Sequence, residues 1–370
     1  MTHNNTQQQL RLGVVGRAYA GSDGGDSSSW TRQTAVCDLN LPLLEKSRQA
    51  FPHIHHYADY RELVNDPEVD IVSVVTPNDS HAEIALAALR AGKHVFCEKP
   101  MAITREDCVR MLQAEQASGK RLGIDFELRY SHITGIRPKA IIDSGEIGEI
   151  RHMHVYHPRG GWLEEKNGIW RVRPQHVGGM ALMELCHPFD LMRYWCGEVT
   201  AVQAFSAPNA LAHYLIPDNM SAFLFFANGA LGEVTELHTR SAQDITDLTN
   251  DADIWRAGGH EDTITVVGSK GSLCIDIWRQ RILVLHFNPY PAGSHGVRVE
   301  TARVEDHAGL GWTRAAHDTP GFFQDFARRI VQNEPPLMTA EDSFRSHVIC
   351  FAAEESATTD FRRIELDYSW

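Results

Sequence analysis

The spacing of apolar and polar residues divides the chain into two halves. In the first half, short apolar runs alternate with helical patterns as far as the stretch RLGIDFELRY. Several runs, such as IVSVV, are nearly continuous and rich in β-branched residues, which is typical of a parallel sheet covered on both faces. The pattern predicts a doubly wound α/β domain over residues 1–126, with one helix capped by Thr104 and closed by Gly119.

In the second half, the spacing of apolar and polar residues is different. Apolar runs such as MSAFLFFANGALGEV are joined by turns, and the Asn-Gly pair within this run indicates a hairpin. A helical pattern, MALMELCHPFDLMRYWCG, interrupts these strands, and two more follow them. We predict an α+β domain over residues 127–370, with an open, mainly antiparallel sheet. Its strands carry more apolar residues than one helical layer covers, so we expect a homodimer or homotetramer.

Composition narrows the class of protein. The formal net charge is −13, which disfavours nucleic acid and anionic membrane surfaces as partners. There is no apolar run of membrane-spanning length, and the polar start MTHNNTQQQL lacks the apolar core of a secretory signal. The 7 cysteines are scattered without a C-x-x-C pair, as in reduced intracellular enzymes. These features predict a cytoplasmic protein.

The first apolar run ends in an altered glycine loop, LGVVGRAYAGSDGGDSSSW. In a G-x-G-x-x-G fingerprint, Gly16 and Gly21 are the first and third glycines, and Ala18 replaces the second. The following SDGGDSSS has no apolar face, so we expect a short helix that starts late and runs through Trp30. The loop is either a re-routed dinucleotide loop or a surface loop on a fold that lost its cofactor. We predict the former.

Asp38 indicates which dinucleotide binds. It ends the next strand about 20 residues after Gly16, where a carboxylate binds the adenosine ribose hydroxyls. The same carboxylate repels a 2′-phosphate, so the predicted cofactor is NAD rather than NADP.

Two further strands end in polar groups, in VVTPNDSH and CEKPMA. The carboxyl edge of a doubly wound sheet is where ligands bind, although a turn with a helix cap and a surface ion pair would also explain these residues. A lysine there could hydrogen-bond or protonate a reacting carbonyl. The predicted cofactor-binding residues at this edge are Thr76, Pro77, Asn78, His81, Glu98 and Lys99.

The helix after Gly178-Gly179 carries Glu184, His187 and Asp190 at intervals of three, roughly along one face. Such a face suits an acid–base histidine oriented by carboxylates. A lone helix histidine is more often a core or surface residue. A Glu-x-x-His pair can also bind metal, but the sequence identifies no further ligands, so no metal is predicted.

These stretches together resemble the Gfo/Idh/MocA dehydrogenases, the family of glucose–fructose oxidoreductase and inositol dehydrogenase. The resemblance implies a Rossmann domain, then an α/β domain that holds a sugar-like substrate and an oligomer interface. It also implies that Lys99 and His187 serve hydride transfer. The matching stretches run in order from about Val36 to Glu365 and include TPNDSHAEIALAALRAGKHVFCEKPMA, LRY, DSGEIGEI, WRVRP, GGMALMELCHPFD, FANGALGEV, VVGSKGSL and FRSHVICFAAEESA.

The chain departs from the family at Met183, where relatives carry aspartate four residues before the histidine. We expect Glu184 to replace that aspartate as a catalytic residue. The predicted activity is NAD(H)-dependent oxidation of a secondary hydroxyl of a sugar, cyclitol or glycoside. Two alternatives are an NAD-retaining lyase or glycosidase that oxidises transiently, and a non-catalytic sugar-binding protein. The predicted substrate-binding residues are Arg129, Tyr130, Trp162, Arg171, His187 and Asp190.

Overall fold

The computed structural model describes residues 9–16, 29–158, 169–238, 263–289 and 297–370, which form two compact units. The first unit comprises the chain up to Phe126 together with Thr319–Arg345 and Trp370. The second comprises Glu127–Asp318 and Ser346–Ser369. Residues 319–345, which the sequence analysis assigned to the second domain, therefore lie in the first unit.

The first unit contains a six-stranded, fully parallel sheet. Its strands are β1 Leu10–Val15, β2 Thr31–Cys37, β3 His55–Tyr57, β4 Ile71–Val74, β5 His94–Cys97 and β6 Leu122–Ile124. The spatial order β3-β2-β1-β4-β5-β6 is that of a doubly wound nucleotide-binding fold, so the predicted α/β class is confirmed. The late helix expected through Trp30 is wrong, because β2 begins at Thr31 and pairs with Leu10 of β1.

The helices of the described residues are, in chain order, α1 Leu41–Ala50, α2 Tyr60–Asn65, α3 His81–Arg90, α4 Arg105–Ser118, α5 Arg137–Asp143, α6 Pro174–Val177, α7 Cys186–Cys196, α8 Trp312–Ala316, α9 Thr319–Val331 and α10 Ala340–Thr358. The predicted caps of α4 are confirmed: the Thr104 side chain accepts from Asp107 N, and Gly119 is left-handed. Helix α9 completes the core of the first unit, where Phe322, Phe323 and Phe326 surround Phe96 at centroid distances of 5.1–5.6 Å.

The second unit is built on a nine-stranded sheet, mostly antiparallel, which confirms the predicted class. Its strands are β7 Ile150–Pro158, β8 Val199–Phe205, β9 Asn219–Phe226, β10 Leu231–Leu237, β11 Thr263–Gly268, β12 Gly271–Asp276, β13 Arg281–Pro289, β14 Val297–Asp306 and β15 Ile364–Glu365. The order is β14-β13-β12-β11-β7-β10-β9-β8-β15, and β7 pairs with β10 in parallel.

Burial alternates strictly along β9, β10 and β11, so one face of this sheet is buried and the other is half-exposed. Helix α7 packs on β7 and β10 of this sheet. A π-helical turn, Ala181–Leu185, leads directly into α7. None of the described helices combines the length and apolar character of a membrane span.

Candidate functional site

Gly16 closes β1 at the carboxyl edge of the first sheet. Its N–H donates to Cys37 O at 2.8 Å. Its φ is +92°, and a Cβ there would lie 2.3 Å from Val75 O. Only glycine fits this turn, as the first position of a dinucleotide fingerprint requires. Ala18 and Gly21 lie outside the described residues.

Asp38 follows β2 directly and is half-buried. Its Oδ1 accepts a hydrogen bond from Asn40 N at 2.8 Å, which orients the carboxylate at the strand end. The structure therefore places Asp38 beside the Gly16 turn, because Gly16 N bonds to the carbonyl of the residue just before it. This arrangement suits an adenosine ribose.

The predicted polar groups after β4 and β5 lie at the same edge. Glu98 N donates to Val74 O at 3.0 Å, which keeps the ends of the two strands in register. Asn78 is buried and begins a 3₁₀ turn, whereas Pro77 is exposed. Glu98 and Lys99 are half-buried, and the Lys99–Pro100 peptide bond is cis. Thr76 accepts a hydrogen bond from Ser80 Oγ at 2.7 Å.

The His81 side chain contacts both of these loops. Its side chain is fully buried, with Nδ1 2.8 Å from Pro100 O and Nε2 2.9 Å from Thr76 O. Burial lowers the pKa of this imidazole. The cofactor-binding role of His81 stays a prediction, and the two backbone contacts of its ring position both loops.

In the second unit, His187 lies next to a carboxylate that the sequence analysis did not select. Glu127, which is 6 % exposed, places Oε2 3.6 Å from His187 Nδ1 and Oε1 2.9 Å from His317 Nδ1. Glu127 belongs to the stretch DFELRY, whose last two residues, Arg129 and Tyr130, are predicted to bind substrate. The predicted strand there ends at Ile124, and a 3₁₀ turn, Glu127–Arg129, follows.

Arg129 and Asp190 form a buried bidentate salt bridge, with both N–O distances 2.6 Å. Ser346 Oγ donates to the same carboxylate at 2.7 Å. Both side chains are at most 6 % exposed, and their role in substrate binding stays a prediction. They hold the turn that carries Glu127 against α7, and so they position the Glu127–His187 pair.

The remaining predicted substrate residues do not share one set of neighbours among the described contacts. Tyr130 is half-buried, and its N–H donates to Glu127 O at 2.9 Å. Arg171 stacks its guanidinium on Trp170, 4.4 Å from the ring centroid. Trp162 lies outside the described residues.

Glu184 lies in the π-turn, and His187 lies in the first turn of α7. Glu184 Oε1 is 3.8 Å from Nε2 of His238. The catalytic role of Glu184 stays a prediction, and Glu127 is a further carboxylate beside the His187 imidazole. Met183 packs in an apolar cluster with Val172, Val177, Tyr214 and Ile216.

A half-buried glutamate of α10 supports the π-turn. Glu354 of α10 accepts a hydrogen bond from Ala181 N, and a Cβ on Gly179 would lie 2.2 Å from its carboxyl carbon. Gly179 also has a φ of +151°. Burial raises the pKa of Glu354 to about 7.

Two family models match the chain in sequence order. Residues 10–126 match the oxidoreductase family with an NAD-binding Rossmann fold, and residues 137–274 match the Gfo/Idh/MocA C-terminal domain. The chain belongs to the Gfo/Idh/MocA oxidoreductase family. The first unit is thus its NAD-binding domain, and the altered Gly16 loop belongs to that domain.

Individual relatives include an inositol 2-dehydrogenase and a levoglucosan dehydrogenase. Inositol 2-dehydrogenase of Salmonella typhimurium is 35% identical over 196 residues, 51% of this chain and 55% of that protein. The chain thus spans little more than half the length of this relative. Levoglucosan dehydrogenase of Pseudarthrobacter phenanthrenivorans is 28% identical over 335 residues, 79% of this chain and 80% of that one. A levoglucosan dehydrogenase solved with NADH and levoglucosan has the same fold, with a TM-score of 0.76, 23% identity, and 97% and 100% coverage.

Proposed function

We propose that this protein is an NAD(H)-dependent oxidoreductase that acts on a secondary hydroxyl of a sugar or cyclitol. The proposal is carried by one observation at the carboxyl edge of the first sheet. This edge brings together the Gly16 turn, Asp38 and the two loops before Asn78 and Lys99. The inositol and levoglucosan dehydrogenases among the relatives support a cyclic polyol as substrate.

The residues present fit the dinucleotide. The backbone at Gly16 leaves the space that a Cβ would fill, and Asp38 offers an oriented carboxylate for ribose hydroxyls. Thr76, Pro77, Asn78, Glu98 and Lys99 would hold the nucleotide further along the edge. When bound, NAD supplies the hydride acceptor.

We assign the proton and charge chemistry to three side chains. His187 accepts the proton of the substrate hydroxyl, and the carboxylate of Glu127 stabilises the imidazolium that forms. Lys99 donates a hydrogen bond to the developing alkoxide. Tyr130, Arg171 and Trp162 are proposed to bind substrate hydroxyls.

Calorimetric titration should show that the protein binds NAD and NADH and discriminates against NADPH. Replacement Asp38→Ser should remove most of that discrimination, because the carboxylate that repels a 2′-phosphate is gone. The matched control is Glu45→Ser, which removes one exposed carboxylate from α1 in the same unit. Failure of the wild-type protein to bind any of the three nucleotides would exclude the dehydrogenase assignment.

We propose a homodimer or homotetramer in the cytoplasm. The half-exposed face of the second sheet carries Phe205, Phe223 and Phe225, an apolar surface suited to a second copy. All 7 cysteines are free thiols, which agrees with a reducing compartment. Light scattering at micromolar concentration should give a multiple of 41.5 kDa, and the monomer mass would contradict the proposal.

A further inference from the structure

Three titratable side chains of the second unit converge in a buried cluster that contains neither Glu127 nor His187. Glu184, Glu236 and His238 are exposed by 4 %, 0 % and 1 %, respectively. Each offers one ligand atom, and these atoms all lie within 4.8 Å of one another. Two carboxylates and an imidazole in so small a buried volume are costly unless a cation or a proton compensates them.

The local folding explains how they meet. Glu236 lies on the buried face of β10, which elsewhere holds apolar side chains such as Val234. His238 follows two residues later, on the same side, and its N–H donates to Asp218 O at 2.8 Å. Glu184 comes from the π-turn, whose wider turn directs this side chain towards the sheet rather than along α7.

His238 and Glu236 each have a further contact on the nitrogen or oxygen that faces away from the cluster, as ligands in known metal sites do. Tyr214 Oη lies 3.0 Å from His238 Nδ1, which turns Nε2 towards Glu236 Oε1 at 3.2 Å and Glu184 Oε1 at 3.8 Å. Among the described residues, His238 Nε2 is buried and makes no hydrogen bond. His157 Nδ1 lies 2.8 Å from Glu236 Oε2, the second oxygen of that carboxylate. Partners on the outer nitrogen or oxygen of each ligand are characteristic of metal centres.

We propose that Glu184, Glu236 and His238 bind a divalent transition-metal cation, Zn²⁺ or Mn²⁺. One imidazole nitrogen with two carboxylate oxygens favours these cations over Mg²⁺ or Ca²⁺, which prefer oxygen ligands alone. The separations of 3.2 and 3.8 Å suit ligands about 2.1 Å from one cation. Three protein ligands leave a coordination position open. The cation would tie the π-turn before His187 to β10.

This proposal differs from the prediction of no metal that the sequence analysis made. The Glu-x-x-His pair at Glu184 and His187 needed further ligands that the sequence did not identify. Among the described residues, Glu184 belongs to the proposed metal site with Glu236 and His238, and His187 lies beside Glu127.

Calorimetric titration of EDTA-treated, full-length protein with Zn²⁺ and Mn²⁺ tests the proposal. We expect one ion per chain, a higher Tm with metal, and much weaker binding of Mg²⁺. Replacement Glu236→Gln should weaken binding by roughly a hundredfold or more, because a ligand charge is lost. The matched control, Glu233→Gln, changes a glutamate on the opposite face of β10 and should bind metal like the wild type.

A second variant separates ligation from folding. Tyr214→Phe keeps all three ligands but removes the group that orients His238, so affinity should fall about tenfold with one ion still bound. NADH titration of the same samples reports separately on the first unit and on the proposed function. The proposal would be overturned if the wild-type protein took up no Zn²⁺ or Mn²⁺ above nonspecific levels. Equal losses of metal affinity in Glu236→Gln and Glu233→Gln would also overturn it.

Discussion

His187→Ala and Lys99→Ala should each lower turnover by about a hundredfold or more, while NADH affinity changes far less. In His187→Ala, the imidazole assigned to accept the hydroxyl proton is absent. In Lys99→Ala, the developing alkoxide loses a charged hydrogen-bond donor. The measurement is the initial rate at the NADH absorbance band, with the best substrate from a panel of sugars and cyclitols.

The controls are two residues of the same types. His317→Ala removes the other histidine on Glu127, which is half-exposed, and should reduce turnover much less. Lys46→Ala removes an exposed lysine of α1 and should leave turnover unchanged. Turnover close to the wild-type value in either His187→Ala or Lys99→Ala would show that the assignment is incorrect.

Glu354→Gln should stabilise the protein at pH 8 and do much less at pH 5. The pKa of Glu354 is raised to about 7 by burial, from an ordinary value near 4.5. The folded state therefore favours the protonated carboxyl, and the stability linked to this group is lost as the pH rises through 7. From the size of the pKa shift, the advantage of the variant should grow by about 2–3 kcal/mol between pH 5 and pH 8.

Urea unfolding at several pH values measures this difference. Glu355→Gln is the matched control, since the neighbouring carboxylate is half-exposed and paired with Arg362 at 2.7 Å. Its effect on the free energy of unfolding should be small at every pH. A Glu354→Gln difference that stays constant with pH would contradict the buried, protonated carboxyl.

The sequence alone was enough to predict features that depend on residues close to one another along the chain. The parallel sheet followed from its continuous apolar strands, and the caps Thr104 and Gly119 from helix-end preferences. The strand-end positions of Asp38 and Lys99 followed in the same way, because parallel strands of one sheet end at a common edge. The family resemblance rested on such local motifs and was confirmed.

Tertiary structure decided which groups meet. Glu127 lies beside His187, and His238 beside Glu184, although tens of residues separate the members of each pair, and no periodicity specifies such pairings. The position of helix α9, Thr319–Val331, also depends on contacts between distant residues. It joins the first unit because its phenylalanines surround Phe96. Regular spacing predicted one face for Glu184 and His187, but Glu184 lies in a π-turn and its carboxylate is near His238. Long-range packing and one local departure from helical geometry determined these contacts, and neither can be deduced from spacing along the chain.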